Sequence, residues 1–126
     1  PEQVADELKD RGFVEPVHID SASVLFTDFK NFTSISGDLT PKQLVEELDF
    51  YFSAFDKIIE KHGLEKLKTI GDSYMCAGGL PKPSLTHVDD IVETALEIIK
   101  FMEDLKEERI AGGKMFWELR VGIHTG

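Results

Sequence analysis

Leu64-Glu65-Lys66-Leu67-Lys68-Thr69-Ile70-Gly71-Asp72-Ser73-Tyr74-Met75-Cys76-Ala77 contains two short β-type runs on either side of Gly71-Asp72. A Gly-Asp pair between such runs reads as a tight turn, so 64–70 and 73–77 are predicted to form a hairpin with Gly71 and Asp72 at its tip. Toward the N-terminus, Thr40-Pro41-Lys42-Gln43 is a helix start. Thr40 caps, Pro41 takes the first helical position and Gln43 closes a capping box. Leu44, Leu48, Phe52, Phe55 and Ile59 then recur at spacings of four and three, which gives this helix one apolar face ending near His62-Gly63. Toward the C-terminus, Pro81 to Leu85 is a loop. Thr86, with Asp89 three residues on, starts a second long helix. Its predicted buried stripe is Val88, Ile91, Val92, Ala95, Ile99, Met102 and Leu105, and Gly112-Gly113 ends it.

A further strand lies outside each helix. Ser23 to Phe29 is mostly apolar, β-branched or aromatic, which predicts a buried strand. It runs into Lys30-Asn31-Phe32-Thr33-Ser34, a turn or short helix start. Phe116 to His124 is the fourth strand. Pro1 to Arg11 reads as a short helix with Val4, Ala5 and Leu8 on one face, and Gly12 to Asp20 as a connector. The order β-α-α-β-β-α-β, with βαβ-like halves around an antiparallel pair, predicts an α+β sandwich of the ferredoxin-like type. Residues 1–20 are then a linker helix and connector, and residues 21–126 one domain.

Composition narrows the function. The chain has 126 residues, 41% hydrophobic and 30% charged, which suits a folded domain and argues against disorder. Lys and Arg number 14 against 24 Asp and Glu, a formal net charge of −10. That charge repels phosphate backbones, so nucleic acid and anionic membranes are disfavoured partners. A small phosphorylated ligand remains compatible where metal ions offset its charge. No apolar run is long enough to span a bilayer, and the acidic start Pro1-Glu2-Gln3-Val4-Ala5-Asp6 has no signal-peptide core. The single cysteine, Cys76, excludes an internal disulfide and suits a reducing, cytosolic setting.

Several residues could carry chemistry. Asp28 ends an apolar strand, where a charge seldom sits without a partner. Asp72 stands at the hairpin tip. In a ferredoxin-like sheet their strands are adjacent and central, so the two carboxylates can converge as a hard oxygen site for Mg²⁺ or Mn²⁺ that leaves room for substrate phosphates. Spacing alone equally allows Asp72 as a turn residue and Asp28 as a helix cap. Phe29-Lys30-Asn31-Phe32-Thr33 offers backbone N–H groups to a phosphate, or is an ordinary strand-to-helix connection. Lys68 can hydrogen-bond a bound base, or face solvent on an alternating strand. His18, His62, His87 and His124 lack metal-ligand spacing. Cys76 and Trp117 read as core, and Glu103 to Arg109 as a solvated helix face.

Taken together, Val24-Leu25-Phe26-Thr27-Asp28-Phe29-Lys30-Asn31-Phe32-Thr33 and Leu67-Lys68-Thr69-Ile70-Gly71-Asp72-Ser73-Tyr74-Met75 resemble the two signature segments of class III nucleotidyl cyclases. Leu119-Arg120-Val121-Gly122-Ile123-His124-Thr125-Gly126 resembles a third. Three segments in the right order decide between the open readings. The resemblance implies that Asp28 and Asp72 hold two Mg²⁺ or Mn²⁺ ions and that the Phe29 backbone carbonyl joins them. It further implies that Lys30, Asn31, Phe32 and Thr33 cradle a triphosphate, that Lys68 reads the base, and that Phe26 lines the purine pocket. Lys at the base-reading position implies ATP, since guanylyl cyclases carry Glu there.

The implied protein is a cytosolic adenylyl cyclase domain making 3′,5′-cyclic AMP and pyrophosphate in a head-to-tail homodimer. The helix from Pro1 to Leu8 would join it to an upstream sensor or membrane part. The family domain also continues past Thr125-Gly126 with a second base-reading residue and a transition-state Asn and Arg. The resemblance therefore implies that these 126 residues alone bind metal and nucleotide but turn over poorly or not at all. Two readings compete: a non-catalytic dimerisation or regulatory module, which would have no need of both Asp28 and Asp72, and a guanylyl cyclase, which Lys68 opposes.

Overall fold

A computed structural model describes residues 2–126; Pro1, the predicted first residue of the first helix, lies outside the described residues. The elements are α1 (Glu2–Arg11), β1 (Ser23–Phe29), α2 (Phe32–Gly37), α3 (Pro41–Lys61), β2 (Glu65–Ile70), β3 (Ser73–Gly78), α4 (His87–Ala111) and β4 (Leu119–Thr125). The strands form one sheet in the order β2-β3-β1-β4, with every neighbouring pair antiparallel. This is the predicted ferredoxin-like sandwich. Among the described residues no helix is long and apolar enough to cross a membrane.

The start of α3 follows the predicted chemistry. The Gln43 N–H donates to Thr40 Oγ1 at 3.2 Å, and the Thr40 N–H donates to Gln43 Oε1 at 3.0 Å. Tyr51, Phe55, Ile58 and Ile59 of α3 and Ile91, Ala95, Ile98, Met102 and Leu105 of α4 close over Leu25, Phe29, Tyr74 and Cys76 of the sheet. Trp117 is fully buried, stacked on Tyr51 and edge-on to Phe29. Buried His87 joins α4 to the start of β1, with Nδ1 2.7 Å from Ser23 Oγ and Nε2 3.1 Å from Ser21 Oγ.

The structure corrects four expectations. β1 is buried on one face only: Ser23, Leu25, Thr27 and Phe29 point at the helices, while Phe26, on the other face, is 48% exposed. The predicted α4 stripe mixes two faces. Ile91, Ala95, Met102 and Leu105 are buried, together with the unpredicted Ile98, whereas Val88, Val92 and Ile99 face outward. The helix carries two apolar rows, and periodicity cannot say which row meets the sheet. Thr86 precedes α4, but its hydroxyl donates to Asp90 instead of capping the backbone. Arg109 leaves the predicted solvated face: it pairs with Glu47 of α3, lies over the rings of Phe50 and Tyr51, and donates to the Met115 carbonyl.

Candidate functional site

The sheet face opposite the helices carries the residues singled out from sequence. The two aspartates meet through Phe29. β1 ends at Phe29, the turn Gly71-Asp72 closes the neighbouring hairpin, and the Phe29 N–H donates to Asp72 Oδ2 at 3.0 Å. Gly71 supplies the left-handed φ of +56° that the tight turn needs. Asp28, one residue back, points to the open face and is 38% exposed.

Asp28 already has a cationic partner. Arg120 stands directly across from it on β4, and its guanidinium donates Nε to Oδ1 and Nη2 to Oδ2, both at 2.8 Å. This two-pronged bond to Asp28, with the added negative charge of Asp72, holds the guanidinium above its ordinary pKa. Arg120 lies in the third quoted segment, yet no sequence signal marked it as a site residue. Its place opposite Asp28 depends on the β1–β4 register, which spacing does not give.

Lys68 reaches this face through an irregularity in β2. Lys66 pairs with Cys76, but Lys68 pairs with Met75, so the ladder shifts by one residue at Leu67. Unbroken alternation would put Lys68 opposite Tyr74, on the helix side. The bulge turns it onto the open face instead. Lys68, Met75, Phe26 and Gly122 then form one cross-strand row over all four strands. The Phe26 ring lies over Gly122, where an added Cβ would come within 2.7 Å of ring carbon Cε2. Phe26, Asp28, Ser73, Arg120, Val121 and Gly122 line a shallow cleft of about 260 Å³ beside the aspartates.

The turn after β1 bends at Asn31, the only non-glycine residue with positive φ (+58°) among those described, and opens α2. Asn and Asp tolerate this region better than other residues. Phe32 packs edge-on against Trp117, which anchors the turn to the core. The Lys30 ammonium sits 3.8 Å from Glu118 rather than at the aspartates, and the Lys30 N–H donates to the Glu118 carbonyl. Asp28, Asp72 and Phe29 therefore come together, Lys68 and Phe26 share the adjoining row, and Lys30 to Thr33 continue directly from the end of β1.

The carboxylates of Asp28 and Asp72, at one end of the sheet, are oxygen donors of the kind a divalent metal ion takes, and Arg120 balances the charge of Asp28 in this structure. Among the described residues no cluster of three or more His, Cys, Asp and Glu forms a closed metal cage. Two carboxylates suit Mg²⁺ or Mn²⁺, whose remaining oxygen ligands can come from water and phosphate.

Comparison with known proteins gives the same family. Residues 14–126 match the domain described as the adenylate and guanylate cyclase catalytic domain. Human guanylyl cyclase C is 39% identical over 127 residues, covering 100% of this chain and 12% of that protein. The catalytic core of a rhodopsin-guanylyl cyclase with converted specificity, solved in complex with ATPαS, superposes with a TM-score of 0.76 at 33% identity over 86% of this chain and 58% of that one. The adenylyl cyclase CyaB from P. aeruginosa gives a TM-score of 0.76 at 29% identity over 84% of this chain and 56% of that one. The chain thus spans a small fraction of its curated relative and under two thirds of these solved chains.

Proposed function

The chain belongs to the adenylate and guanylate cyclase catalytic-domain family, and we propose that it is an adenylyl cyclase domain forming 3′,5′-cyclic AMP and pyrophosphate from ATP. The observation that carries this reading is Lys68 on the open face, in one cross-strand row with Phe26. An ammonium donates hydrogen bonds, and adenine N1 is an acceptor. Guanine presents an N–H and an amino group at the same edge and calls for an acceptor such as Glu. The named relatives include both kinds of cyclase. The rhodopsin-guanylyl cyclase of converted specificity holds an ATP analogue, so in that relative the base accepted is separable from the fold.

Asp28, Asp72 and the Phe29 carbonyl would hold Mg²⁺ or Mn²⁺, two ions per site. When bound, the metal supplies Lewis acidity that lowers the pKa of the ribose 3′-hydroxyl and offsets charge on the leaving pyrophosphate. The chain's own contribution is positioning. Lys68, brought to the site from the second copy in the head-to-tail pair, donates to the base, and the Phe26 ring packs on the purine. The turn from Lys30 to Thr33, which continues directly from the end of β1, would cradle the triphosphate. The Phe29 N–H fixes one Asp72 oxygen, and the other would be available to hold a metal ion.

A cleft of about 260 Å³ on an open sheet face is too shallow to enclose a nucleoside triphosphate, for which sites of roughly 300–1,000 Å³ are usual. We therefore place a second copy of the domain, head to tail, over this face. α1 carries no buried residue and precedes the matched region, which suits a connector to an upstream sensor or membrane part of a signalling protein acting in the cytosol. The test is the nucleotide preference of Lys68→Glu in the full-length protein. A fall in ATP use relative to GTP supports the assignment, and an unchanged preference removes it.

A further inference from the structure

The guanidinium fork of Arg120 engages both oxygens of Asp28 at 2.8 Å and sets a full positive charge against the carboxylate, so a metal ion arriving at Asp28 meets a resident cation. We propose that Arg120 is the resident counter-ion of Asp28 and that a divalent cation enters this site by exchange, displacing the guanidinium from the carboxylate. The inference rests on the metal reading of Asp28 and Asp72 given above.

Three observations support exchange rather than simple addition. The pair spans neighbouring strands in direct register, so both Cα positions are fixed and only side-chain torsions need change for Arg120 to leave. The Arg120 side chain is 65% exposed, so it can swing into solvent without opening the core. Asp72 is restrained differently: its partner is the Phe29 backbone N–H, which takes one oxygen and stays in place. The two carboxylates are thus unequal. Asp72 is held by a neutral donor that a cation need not remove. Asp28 is held by a full positive charge that competes with the cation for the same carboxylate and repels it. The arrangement keeps Asp28 aimed at the open face in the absence of metal and makes the first ion bind more weakly than the bare carboxylates would allow.

The experiment is a titration of the full-length, nucleotide-free protein with Mn²⁺, following free Mn²⁺ by electron paramagnetic resonance. Removing the competing charge in Arg120→Gln is expected to tighten Mn²⁺ binding by about two- to fivefold, the range for an exposed but two-pronged ion pair. Arg120→Lys, which keeps the charge and loses the fork, is expected to fall between the two. The advantage of Arg120→Gln should shrink in high salt, because exposed charges are screened. Unchanged or weaker binding in Arg120→Gln, with Asp72→Ala losing binding, overturns the exchange and leaves the metal site standing. Equal Mn²⁺ binding by wild type, Asp28→Ala and Asp72→Ala overturns both.

Discussion

Lys66 and Lys68, two residues apart on β2, lie on opposite faces of the sheet. Lys66 pairs with Cys76 and reaches α3, with its ammonium 3.0 Å from Asp56 and over the Tyr74 ring. Lys68 pairs with Met75 on the open face, in the row of Phe26. The bulge at Leu67 thus assigns one lysine to the fold and the other to the site.

The substitution Lys68→Glu is accordingly expected to lower the ratio of ATP to GTP use by about tenfold or more, since a site built to donate rejects a base it cannot pair with. Lys66→Glu should leave that ratio unchanged while weakening the link to Asp56. Steady-state rates with each nucleotide, compared between the two variants, check this. Equal effects on nucleotide preference would mean that the bulge does not separate their roles.

Asp72 does two things that substitution can separate. Asp72→Asn keeps an oxygen for the Phe29 N–H and loses the charge, so its unfolding free energy should stay near wild type while metal-dependent activity falls by about a hundredfold or more. Asp72→Ala should lose the same activity and in addition about 1 kcal/mol of stability from the unmade hydrogen bond. Urea unfolding alongside cyclase assays distinguishes the two variants.

Gly122 lets the Phe26 ring lie close to β4. In Gly122→Ala the new methyl would come within 2.7 Å of the ring, and because Phe26 is 48% exposed the ring can swing aside instead of straining the strand. The expected result is a KM for ATP raised by up to about tenfold, with kcat little changed and the fold intact. A lowered kcat at constant KM would place the ring outside the base pocket.

Alkaline stability follows from two buried groups. Burial pushes the Cys76 thiol up from 9.0 to about 12. Burial, followed by the 2.6 Å hydrogen bond to Asp56, holds the Tyr74 phenol well above its ordinary 10.0. Above about pH 9 the unfolded chain releases these protons and the folded chain keeps them, so stability should fall as pH rises. Tyr74→Phe should cost about 1–2 kcal/mol at neutral pH and lose less on further alkalinisation. Urea midpoints measured from about pH 8 to about pH 11 check both slopes.

Much of this was legible in the residues. Gly71-Asp72 marked the hairpin tip, Thr40 with Gln43 marked the start of α3, and the element order gave the sheet topology. What escaped was register. Nothing in Leu67-Lys68-Thr69 announces a bulge, and without it Lys68 is indistinguishable from a lysine on a regular alternating strand. Arg120 escaped for the same reason, since its meaning comes from standing opposite Asp28, 92 residues away in sequence. The outward row of α4, Val88, Val92 and Ile99, reads as core from spacing alone, because a helix with two apolar rows satisfies the helical period with either.

The most direct test is initial rates of cyclic AMP and cyclic GMP formation by the full-length protein with Mn²⁺, beside its Asp72→Asn variant. Cyclic AMP in excess of cyclic GMP, lost in the variant, is the expected result. Cyclic GMP as the main product, or cyclic AMP undiminished in the variant, would contradict an adenylyl cyclase built on Lys68 and the Asp28–Asp72 pair.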